Sequence, residues 1–466
     1  MNKKNIGVVI TDGVGFRNFI LSDFISEAKK EFNSIVFFSC LPISAYESFQ
    51  LDCKIIELEV FTEKFPTWFF RKTKEVAHLQ LHKKGNFGIE DNLNANRSRS
   101  NNPRGLATKF IFGFTNMFHS EKWIQRYNTF QQLTFKSHTL TQAYEKLLVE
   151  NNIDLLFFTH QRPPYIAPLI YAAEKLKLKT SAFIFSWDNL ASKGRMAGNF
   201  DYYLVWSELM QSELLHFYRS IKAENIHIVG TPQFEPYVLE RYQSTKEEFA
   251  QKFNIDSTKP TVFFSCGDVS TSPNDPVYIE AIAKGIVENK FIQAVNLLVR
   301  TSPAEEPARF KSLADKYPFI IWNYPDWFQA RSNHQENWSQ RIPSVNDVKN
   351  LRALLAYTDI SVNMLSTMSL DNMLFQKPVI NTVFGNGENG LKNDQRFFNY
   401  AHIKKVIDGN ALWIAKNENE LIEAINGYLQ QPNLRLQEQN DMIQLQIGKP
   451  LLGTSANIVK VLSNII

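Results

Sequence analysis

The stretch Thr358-Asp-Ile-Ser-Val-Asn-Met-Leu-Ser-Thr-Met-Ser-Leu-Asp371 decides how this chain is interpreted. Its β-branched first half predicts a buried strand that ends at about Met364, after which Ser366 and Thr367 begin a helix. Hydroxyl groups and free amides at a helix start bind a diphosphate, and Asp371, about one turn further along, accepts hydrogen bonds from ribose hydroxyls. The stretch therefore predicts either a nucleotide diphosphate site or an ordinary Ser/Thr helix cap.

Strands and helices alternate on both sides of this stretch. Short β-branched and aromatic runs such as Ile6–Ile10, Ser34–Ser39 and Thr261–Ser265 are each followed by a segment with helical periodicity, which is the pattern of βαβ units and a parallel sheet. A turn-rich break within Gln243–Lys259 interrupts the alternation. The sequence predicts an α/β fold with two doubly wound, Rossmann-like domains that face a ligand-binding cleft.

The break also sets the expected domain boundaries. We expect an N-terminal domain over residues 1–250, a C-terminal domain over residues 251–439, and a C-terminal helix over residues 440–466 that packs back on the N-terminal domain. A basic and aromatic insertion is expected around residues 61–126. Within Lys64–Arg126, twelve Lys and Arg residues stand against four Asp and Glu residues, which suits an anionic lipid surface or a phosphate-bearing acceptor. A solvated inserted loop is the alternative.

The overall composition excludes several classes of protein. With 466 residues, 44% hydrophobic and 21% charged, the chain is globular rather than disordered, collagen-like or coiled-coil. Its three cysteines show no CxxC spacing, which argues against a disulfide framework and a zinc module. This cysteine usage fits a reducing cytoplasm best. The net charge of +4 is too small to indicate a nucleic-acid binder. Because no apolar run reaches 18 residues, we expect membrane contact, at the inner face of the cytoplasmic membrane, to be at most peripheral.

The segment Asp12-Gly-Val-Gly-Phe-Arg17 is expected to form an acceptor or phosphate loop between the first strand and the first helix. Gly13 and Gly15 allow a ligand to approach the backbone, and Arg17 adds a positive charge. Asn18 stands where the dinucleotide fingerprint has its third glycine, so a nicotinamide enzyme is disfavoured. A tight turn without a ligand is the alternative.

Three residues are candidates for the catalytic base. His160 and Asp188 each follow a predicted strand, and Asp12 follows the first one, so all three belong at the strand ends that line the cleft. For each, a hydrogen bond that stabilises its own loop is the alternative. Trp187, beside Asp188, is expected to stack on a sugar ring or on a neighbouring helix.

The decisive stretch, together with Lys377-Pro-Val-Ile380, resembles the nucleotide-binding half of GT-B glycosyltransferases. The turn Leu297–Pro303 resembles that of the related CDP-glycerol polyol-phosphate transferases, although Ser302 replaces a histidine of that family. Ser186–Gly194 and Val229–Phe234 resemble stretches of bacterial surface-carbohydrate transferases. The resemblance implies a GT-B architecture with the acceptor in the N-terminal domain and the donor in the C-terminal domain.

Several residues acquire donor-binding roles through this resemblance. Arg300 is expected to hold a phosphate, with an interdomain salt bridge as the alternative, while Tyr324 lies near the nucleobase and Glu388 near the transferred group. The full donor set is Gly267, Arg300, Tyr324, Ser366, Thr367, Asp371 and Glu388. No metal is expected, because no two aspartates stand two positions apart as in the DxD element, and His78 and His82 lack further ligands.

The implied activity is metal-independent transfer of a sugar from a nucleotide diphosphate to a surface-polysaccharide or lipid-linked acceptor. The donor is a co-substrate, with UDP, CDP and GDP left open, and no cofactor and no nucleic-acid partner is expected. The alternatives are a CDP-glycerol-type polyol-phosphate transferase, a nucleotide-sugar 2-epimerase and a non-catalytic nucleotide-binding scaffold.

Overall fold

Parallel strands dominate the structure, a computed structural model that describes residues 3–466. Over the described part of the first half, seven strands form one sheet: β1 (Asn5–Ile10), β2 (Ser34–Ser39), β3 (Lys54–Glu57), β4 (Leu155–Phe158), β5 (Lys179–Phe183), β6 (Tyr202–Val205) and β7 (Ile226–Ile228). Their order is β3-β2-β1-β4-β5-β6-β7. The central strands are buried apolar runs because helices cover both faces of the sheet.

The second half of the chain adds eight strands within the described residues: β8 (Thr261–Ser265), β9 (Asn296–Arg300), β10 (Ile321–Asn323), β11 (Trp327–Gln329), β12 (Arg341–Pro343), β13 (Ile360–Asn363), β14 (Val379–Thr382) and β15 (Trp413–Ala415). Six of them form a parallel sheet in the order β10-β9-β8-β13-β14-β15, while β11 and β12 pair antiparallel by themselves. The expected α/β fold with two parallel sheets is confirmed.

Ten helices belong to the first sheet or are inserted into its connections, within the described residues: α1 (Gly13–Ile20), α2 (Phe24–Glu31), α3 (Phe65–His82), α4 (Phe87–Ala95), α5 (Pro103–Met117), α6 (Glu121–Leu133), α7 (Thr139–Glu150), α8 (Ala167–Lys175), α9 (Asn189–Ser192) and α10 (Glu208–Phe217). Helices α3 to α6, which we call the helical insertion, stand between β3 and β4. They pack around a small core of Ala77, Ile124 and Tyr127. We call β1–β7 with α1–α10 the first domain.

Nine further helices follow in the described part of the chain: α11 (Lys246–Phe253), α12 (Asp275–Val287), α13 (Lys311–Lys316), α14 (Val345–Tyr357), α15 (Met368–Leu374), α16 (Ala401–Asp408), α17 (Glu418–Gln430), α18 (Leu436–Gln446) and α19 (Thr454–Asn464). We call β8–β15 with α11–α17 the second domain. Helix α19 returns to the first domain and packs against α2. Among the helices of residues 3–466, none has the length and apolarity needed to cross a membrane.

A hairpin arm, residues 326–344 with β11 and β12, extends from the second domain onto the first. Arg331 on the arm forms an ion pair with Glu57 at the end of β3. The Gln335 side chain donates a hydrogen bond of 3.2 Å to the carbonyl oxygen of Phe61. The arm therefore joins the two domains on the side where the strands of both sheets end.

Asp347, near the start of α14, anchors this arm. Its carboxylate accepts hydrogen bonds from Arg300 Nη2 at 2.7 Å, from Trp327 Nε1 at 2.7 Å and from the backbone N–H of Asp326 at 3.0 Å. Burial alone would raise the pKa of Asp347, but the Arg300 guanidinium and the hydrogen bonds hold it below its usual value. The end of β9, the arm and α14 thus meet at one buried ion pair.

Gly13→Ala tests the contact between the domains. A Cβ at Gly13 would lie 1.7 Å from the backbone carbonyl oxygen of Arg341 in β12, so the arm has to move away from α1. We expect a loss of about 1–3 kcal/mol in the free energy of unfolding, seen as a lower Tm. Gly113→Ala is the control, because Gly113 is an exposed position of α5 where a Cβ meets nothing within 4 Å. It should add about 0.5–1 kcal/mol to the free energy of unfolding. An unchanged Tm for Gly13→Ala would contradict the contact.

Arg300→Met tests the buried ion pair. The substitution leaves Asp347 buried without its positive partner, which costs about 3–5 kcal/mol. Denaturant unfolding should show this loss, and the double variant Arg300→Met/Asp347→Asn should recover part of it because both charges are gone. If Arg300→Met were as stable as the wild type, the ion pair would not anchor the arm.

Candidate functional site

Two cavities open between the domains at the carboxyl ends of the strands. The first, which we call the Arg17 cavity, has a volume of about 280 Å³ and lies between Arg17 and Tyr237 of the first domain and the ends of β8 and β9. The second, the Asp188 cavity, has a volume of about 410 Å³ and lies between the loop after β5 and the segments around α15 and α16. Gly267 and Ser366 line both cavities, so the two adjoin.

Ser366 and Thr367 stand where β13 turns into α15. Asn363 Oδ1 accepts the Ser366 backbone N–H at 2.9 Å, and Ser366 Oγ accepts the Met368 N–H at 3.2 Å. Leu365 adopts a left-handed conformation with a φ of 45°, so the chain turns sharply toward the cleft. Ser366 lines both cavities and Thr367 lines the Asp188 cavity.

Two of the predicted donor ligands are engaged by other protein groups. Arg300 lines the Arg17 cavity, but its guanidinium is bound to Asp347 and Asn323 within the second domain, so it is neither a free phosphate ligand nor part of an interdomain salt bridge. Asp371 is 3% exposed and accepts a 2.5 Å hydrogen bond from the Tyr237 hydroxyl across the domain interface. Burial raises the pKa of Asp371 to about 6. Asp371 is a domain contact here rather than an open ribose ligand.

The other predicted donor residues divide between the cleft and the surface. Gly267 lies in the cleft, and its N–H donates to Asp275 at 2.9 Å. Tyr324 is 51% exposed beyond β10, with its ring parallel to Trp322, and Glu388 is exposed in the loop after β14. Neither Tyr324 nor Glu388 lines the two cavities.

The glycines of the predicted acceptor or phosphate loop approach protein groups instead of a ligand. Gly13 faces the Arg341 carbonyl oxygen, and a Cβ at Gly15 would lie 3.0 Å from Thr159 Oγ1. The Gly15 N–H donates to Asp12 Oδ1 at 2.8 Å, so the helix start is capped by the protein itself. Within this segment, Arg17 lines the cleft.

Asp12 and His160 form a buried pair at the ends of β1 and β4. His160 Nδ1 lies 2.9 Å from Asp12 Oδ2, which also accepts the Thr11 hydroxyl at 2.7 Å. The His160 ring stacks on Phe185, with the ring centroids 3.9 Å apart. The carboxylate and the aromatic ring together fix the position and the plane of the imidazole.

The charges of this pair are set by opposing effects. Burial alone would raise the pKa of Asp12, but His160 and the other hydrogen bonds hold it below its usual value. Burial lowers the pKa of His160 although Asp12 opposes this. At neutral pH the imidazole is therefore uncharged, with Nδ1–H donating to Asp12 and a free lone pair on Nε2.

His160 lines a third cavity of about 300 Å³, which we call the His160 cavity. Its other charged side chains come from four parts of the chain: Arg71, Lys74 and Glu75 from α3, Arg162 from the loop after β4, Arg195 from the loop after α9, and Glu336 from the arm, which also contributes Trp338. The helical insertion, the first sheet and the second domain therefore all contribute to it.

Two basic groups of the His160 cavity have no carboxylate partner. Lys74 Nζ donates to Asn128 Oδ1 and to the Ala197 carbonyl oxygen, both at 2.8 Å, and burial lowers the pKa of Lys74 to about 7. Arg162 forms no ion pair with any described residue, and its buried Nε makes no hydrogen bond. The cavity thus offers an amine and a guanidinium to an anionic group.

Asp188 and Trp187 lie at the edge of the Asp188 cavity. Burial alone would raise the pKa of Asp188, but Lys193, whose Nζ is 3.3 Å away, helps to lower it to about 2. The Trp187 ring meets His402 of the second domain edge to face, with centroids 5.0 Å apart. A carboxylate with so low a pKa is a poor proton acceptor at neutral pH, and Trp187 packs against the second domain.

Sequence reasoning missed part of the His160 cavity. Arg162 stands two residues after His160, so its place just beyond the end of β4 could have identified it as it identified His160. Lys74 counted only as one charge of the basic insertion. Glu336 and Trp338 lie far along the chain on the arm, and no local pattern places them beside β4.

Comparisons with known proteins identify the architecture. No family model matches the chain, and no curated protein matches it. Solved structures do match, and three of them illustrate the kinds of protein that share the fold. A glycosyltransferase from Rickettsia africae ESF-5 is 12% identical with a TM-score of 0.52, and the match covers 100% of this chain and 99% of that chain.

The other two are 2-epimerases. A putative UDP-N-acetylglucosamine 2-epimerase from Listeria monocytogenes is 9% identical with a TM-score of 0.55, covering 99% and 96% of the two chains. The UDP-GlcNAc 2-epimerase from Neisseria meningitidis, bound to UDP-GlcNAc, is 11% identical with a TM-score of 0.52, covering 99% and 100%. At these identities the likeness shows the fold, and the chain has the two-domain GT-B architecture.

Proposed function

We propose that this protein is a glycosyltransferase that moves a sugar from a nucleotide diphosphate to a hydroxyl group of an anionic acceptor, such as a surface-polysaccharide or lipid-linked precursor. The observation that carries the proposal is the buried Asp12–His160 pair. His160 lines a basic cavity other than the Arg17 and Asp188 cavities, and Asp188 lies close enough for its charge to favour the imidazolium. Donor and acceptor can therefore occupy neighbouring cavities.

The donor is assigned to the adjoining Arg17 and Asp188 cavities. Ser366 and Thr367 supply hydroxyl groups there, while Arg17 supplies positive charge from the first domain. These groups offset the charge of the leaving diphosphate in the proposed reaction. A nucleotide-sugar donor is further supported by the UDP-GlcNAc bound to the Neisseria epimerase, which shares the fold.

The acceptor is assigned to the His160 cavity. Its anionic group binds Arg162 and Lys74, and one of its hydroxyl groups donates to His160 Nε2. As the acceptor oxygen bonds to the anomeric carbon, its proton passes to Nε2, and the bond between that carbon and the diphosphate breaks with its electron pair leaving on the diphosphate. Asp12 then stabilises the imidazolium that forms.

Other activities on this architecture are distinguished by what they require. Polyol-phosphate transfer has a histidine at the position of Ser302, but Ser302 Oγ here accepts the Ala304 N–H at 3.2 Å and stabilises its own turn. A 2-epimerase acts on the donor alone and has no use for a second, basic cavity. A scaffold protein has no use for a neutral histidine held by a buried carboxylate.

The double variant Ser366→Ala/Thr367→Ala tests the donor site. Thermal unfolding of the wild type should shift upward with one class among UDP, CDP, GDP and their sugars, because a ligand at 100 times its Kd stabilises the native state by about 2.7 kcal/mol. The double variant should lose this shift while its Tm without ligand stays close to that of the wild type. A shift that persists in the variant would contradict the assignment.

His160→Asn tests the proposed base. Release of nucleoside diphosphate from the identified donor, in the presence of acceptor, should fall by about 10²–10⁴-fold in kcat. Because burial lowers the pKa of His160, the wild type should keep its activity below pH ~6.5, the ordinary histidine value, and lose it only at lower pH.

The control for His160→Asn is His227→Asn, since His227 is a half-buried residue of β7 that lines none of the three cavities. It should leave kcat unchanged. Full activity of His160→Asn would refute the role of the imidazole. Conversion of the donor to an isomer without nucleotide release would identify an epimerase instead.

A further inference from the structure

Helix α5 of the helical insertion exposes a stripe of large apolar side chains. Leu106, Phe110 and Met117 are 54%, 61% and 76% exposed. Their spacing of four and then seven residues places them on one side of the helix. On the opposite side of α5, Ile111 and Phe112 are buried in the insertion. The exposed stripe therefore takes no part in packing the insertion.

Neighbouring helices extend this stripe into a continuous surface. Phe69 on α3 stacks with Phe110, with centroids 6.4 Å apart, and Phe70 contacts Phe130 on α6 at 5.5 Å. We call this surface the apolar face, and its exposed members are Phe65, Leu106, Phe110, Met117, Phe130 and Leu133. Contiguous apolar surface on a soluble protein marks an interaction site.

The charges along α5 have one sign. Residues 92–120, which include α5, contain four Lys and Arg residues and no Asp or Glu. Lys109 precedes Phe110, Lys64 precedes Phe65, and both lysines are exposed. The guanidinium of Arg104 lies over the Trp68 ring, 5.3 Å from its centroid. The partner surface that contacts the apolar face must therefore offer apolar groups to the aromatic and aliphatic side chains and anionic groups to the surrounding Lys and Arg residues.

We propose that the apolar face docks onto an anionic lipid bilayer. Exposed Phe, Leu and Met side chains enter the boundary between headgroups and acyl chains, while the surrounding Lys and Arg side chains bind lipid phosphates. The lack of acidic residues along α5 favours lipid over a protein partner, because protein surfaces carry charges of both signs. The helices lie along the surface of the bilayer.

The docking places the His160 cavity close to the membrane. Helix α3 carries Phe65 and Phe70 at the apolar face and Arg71 and Lys74 in the His160 cavity. From Phe70 to Lys74 is about 6 Å along the helix axis. An acceptor held by a lipid would thus have a short path to the cavity, and this consequence alone rests on the proposed function.

Sedimentation with lipid vesicles tests the proposal. The full chain should bind vesicles of phosphatidylcholine mixed with phosphatidylglycerol, and bind pure phosphatidylcholine vesicles much less. Raising the salt from about 0.1 M to 1 M, which shortens the Debye length from about 10 to 3 Å, should release part of the bound protein. Phe110→Glu/Met117→Glu should weaken vesicle binding by tenfold or more. Each apolar side chain that is no longer buried in the bilayer lowers the binding constant by about a factor of ten.

Leu452→Glu is the matched control, since Leu452 is 70% exposed and lies outside the insertion; it should bind like the wild type. Every variant should retain the wild-type Tm and the Tm shift with nucleotide, which separates failed docking from a failed donor site. Absence of binding to anionic vesicles, or equal binding by Phe110→Glu/Met117→Glu, would overturn the proposal. A dimer in light scattering that this double variant abolishes would assign the apolar face to a second copy of the chain.

Discussion

One buried carboxylate, that of Asp12, fixes the geometry on which the candidate site depends. It is fully buried, and its two oxygens accept hydrogen bonds from the Gly15 N–H, the Thr11 hydroxyl and His160. A buried charge is tolerated only when it is hydrogen-bonded or paired in this way. Because those partners belong to the loop after β1, to α1 and to the loop after β4, the same interaction caps a helix, joins two strand ends and orients the imidazole.

A second constraint is the contact between the domains. The arm reaches α1 at Gly13, where only a glycine leaves room for the backbone of β12. Asp371 and Tyr237 meet elsewhere in the interface, and burial raises the pKa of Asp371 to about 6. A carboxyl group whose pKa is higher in the folded state stabilises that state below the unfolded value of about 3.9 and loses the contribution as pH rises through about 6. Burial causes this shift, whereas the Tyr237 hydrogen bond favours the ionised carboxylate and opposes it. The cost of burying Asp371 at the interface is therefore greater at neutral pH than in acid.

The sequence predicts what is local and misses what is distant. Strand patterns locate the two sheets, because a buried parallel strand is a continuous apolar run whatever lies beside it. The same argument places His160 and Asp12 at strand ends, where the structure brings them together. Arg300 is expected to bind a phosphate because it ends a strand, and Asp371 a ribose because it lies about one turn along the helix that follows β13. Neither Asp347, 47 residues beyond Arg300, nor Tyr237, 134 residues from Asp371, leaves a local signal of the pairing.

The electrostatics of the His160 cavity connect binding to chemistry in the proposed reaction. Lys74 and Arg162 have no carboxylate partners, and Arg162 lies near enough to His160 for its positive charge to disfavour the imidazolium. Burial is the main cause that keeps His160 in the neutral form that a base requires, and the Arg162 charge adds to it. Once an anionic acceptor neutralises Arg162, its effect on the imidazole weakens and the imidazole becomes a stronger base. The acceptor that the cavity selects by charge thus raises the basicity of the group that deprotonates it.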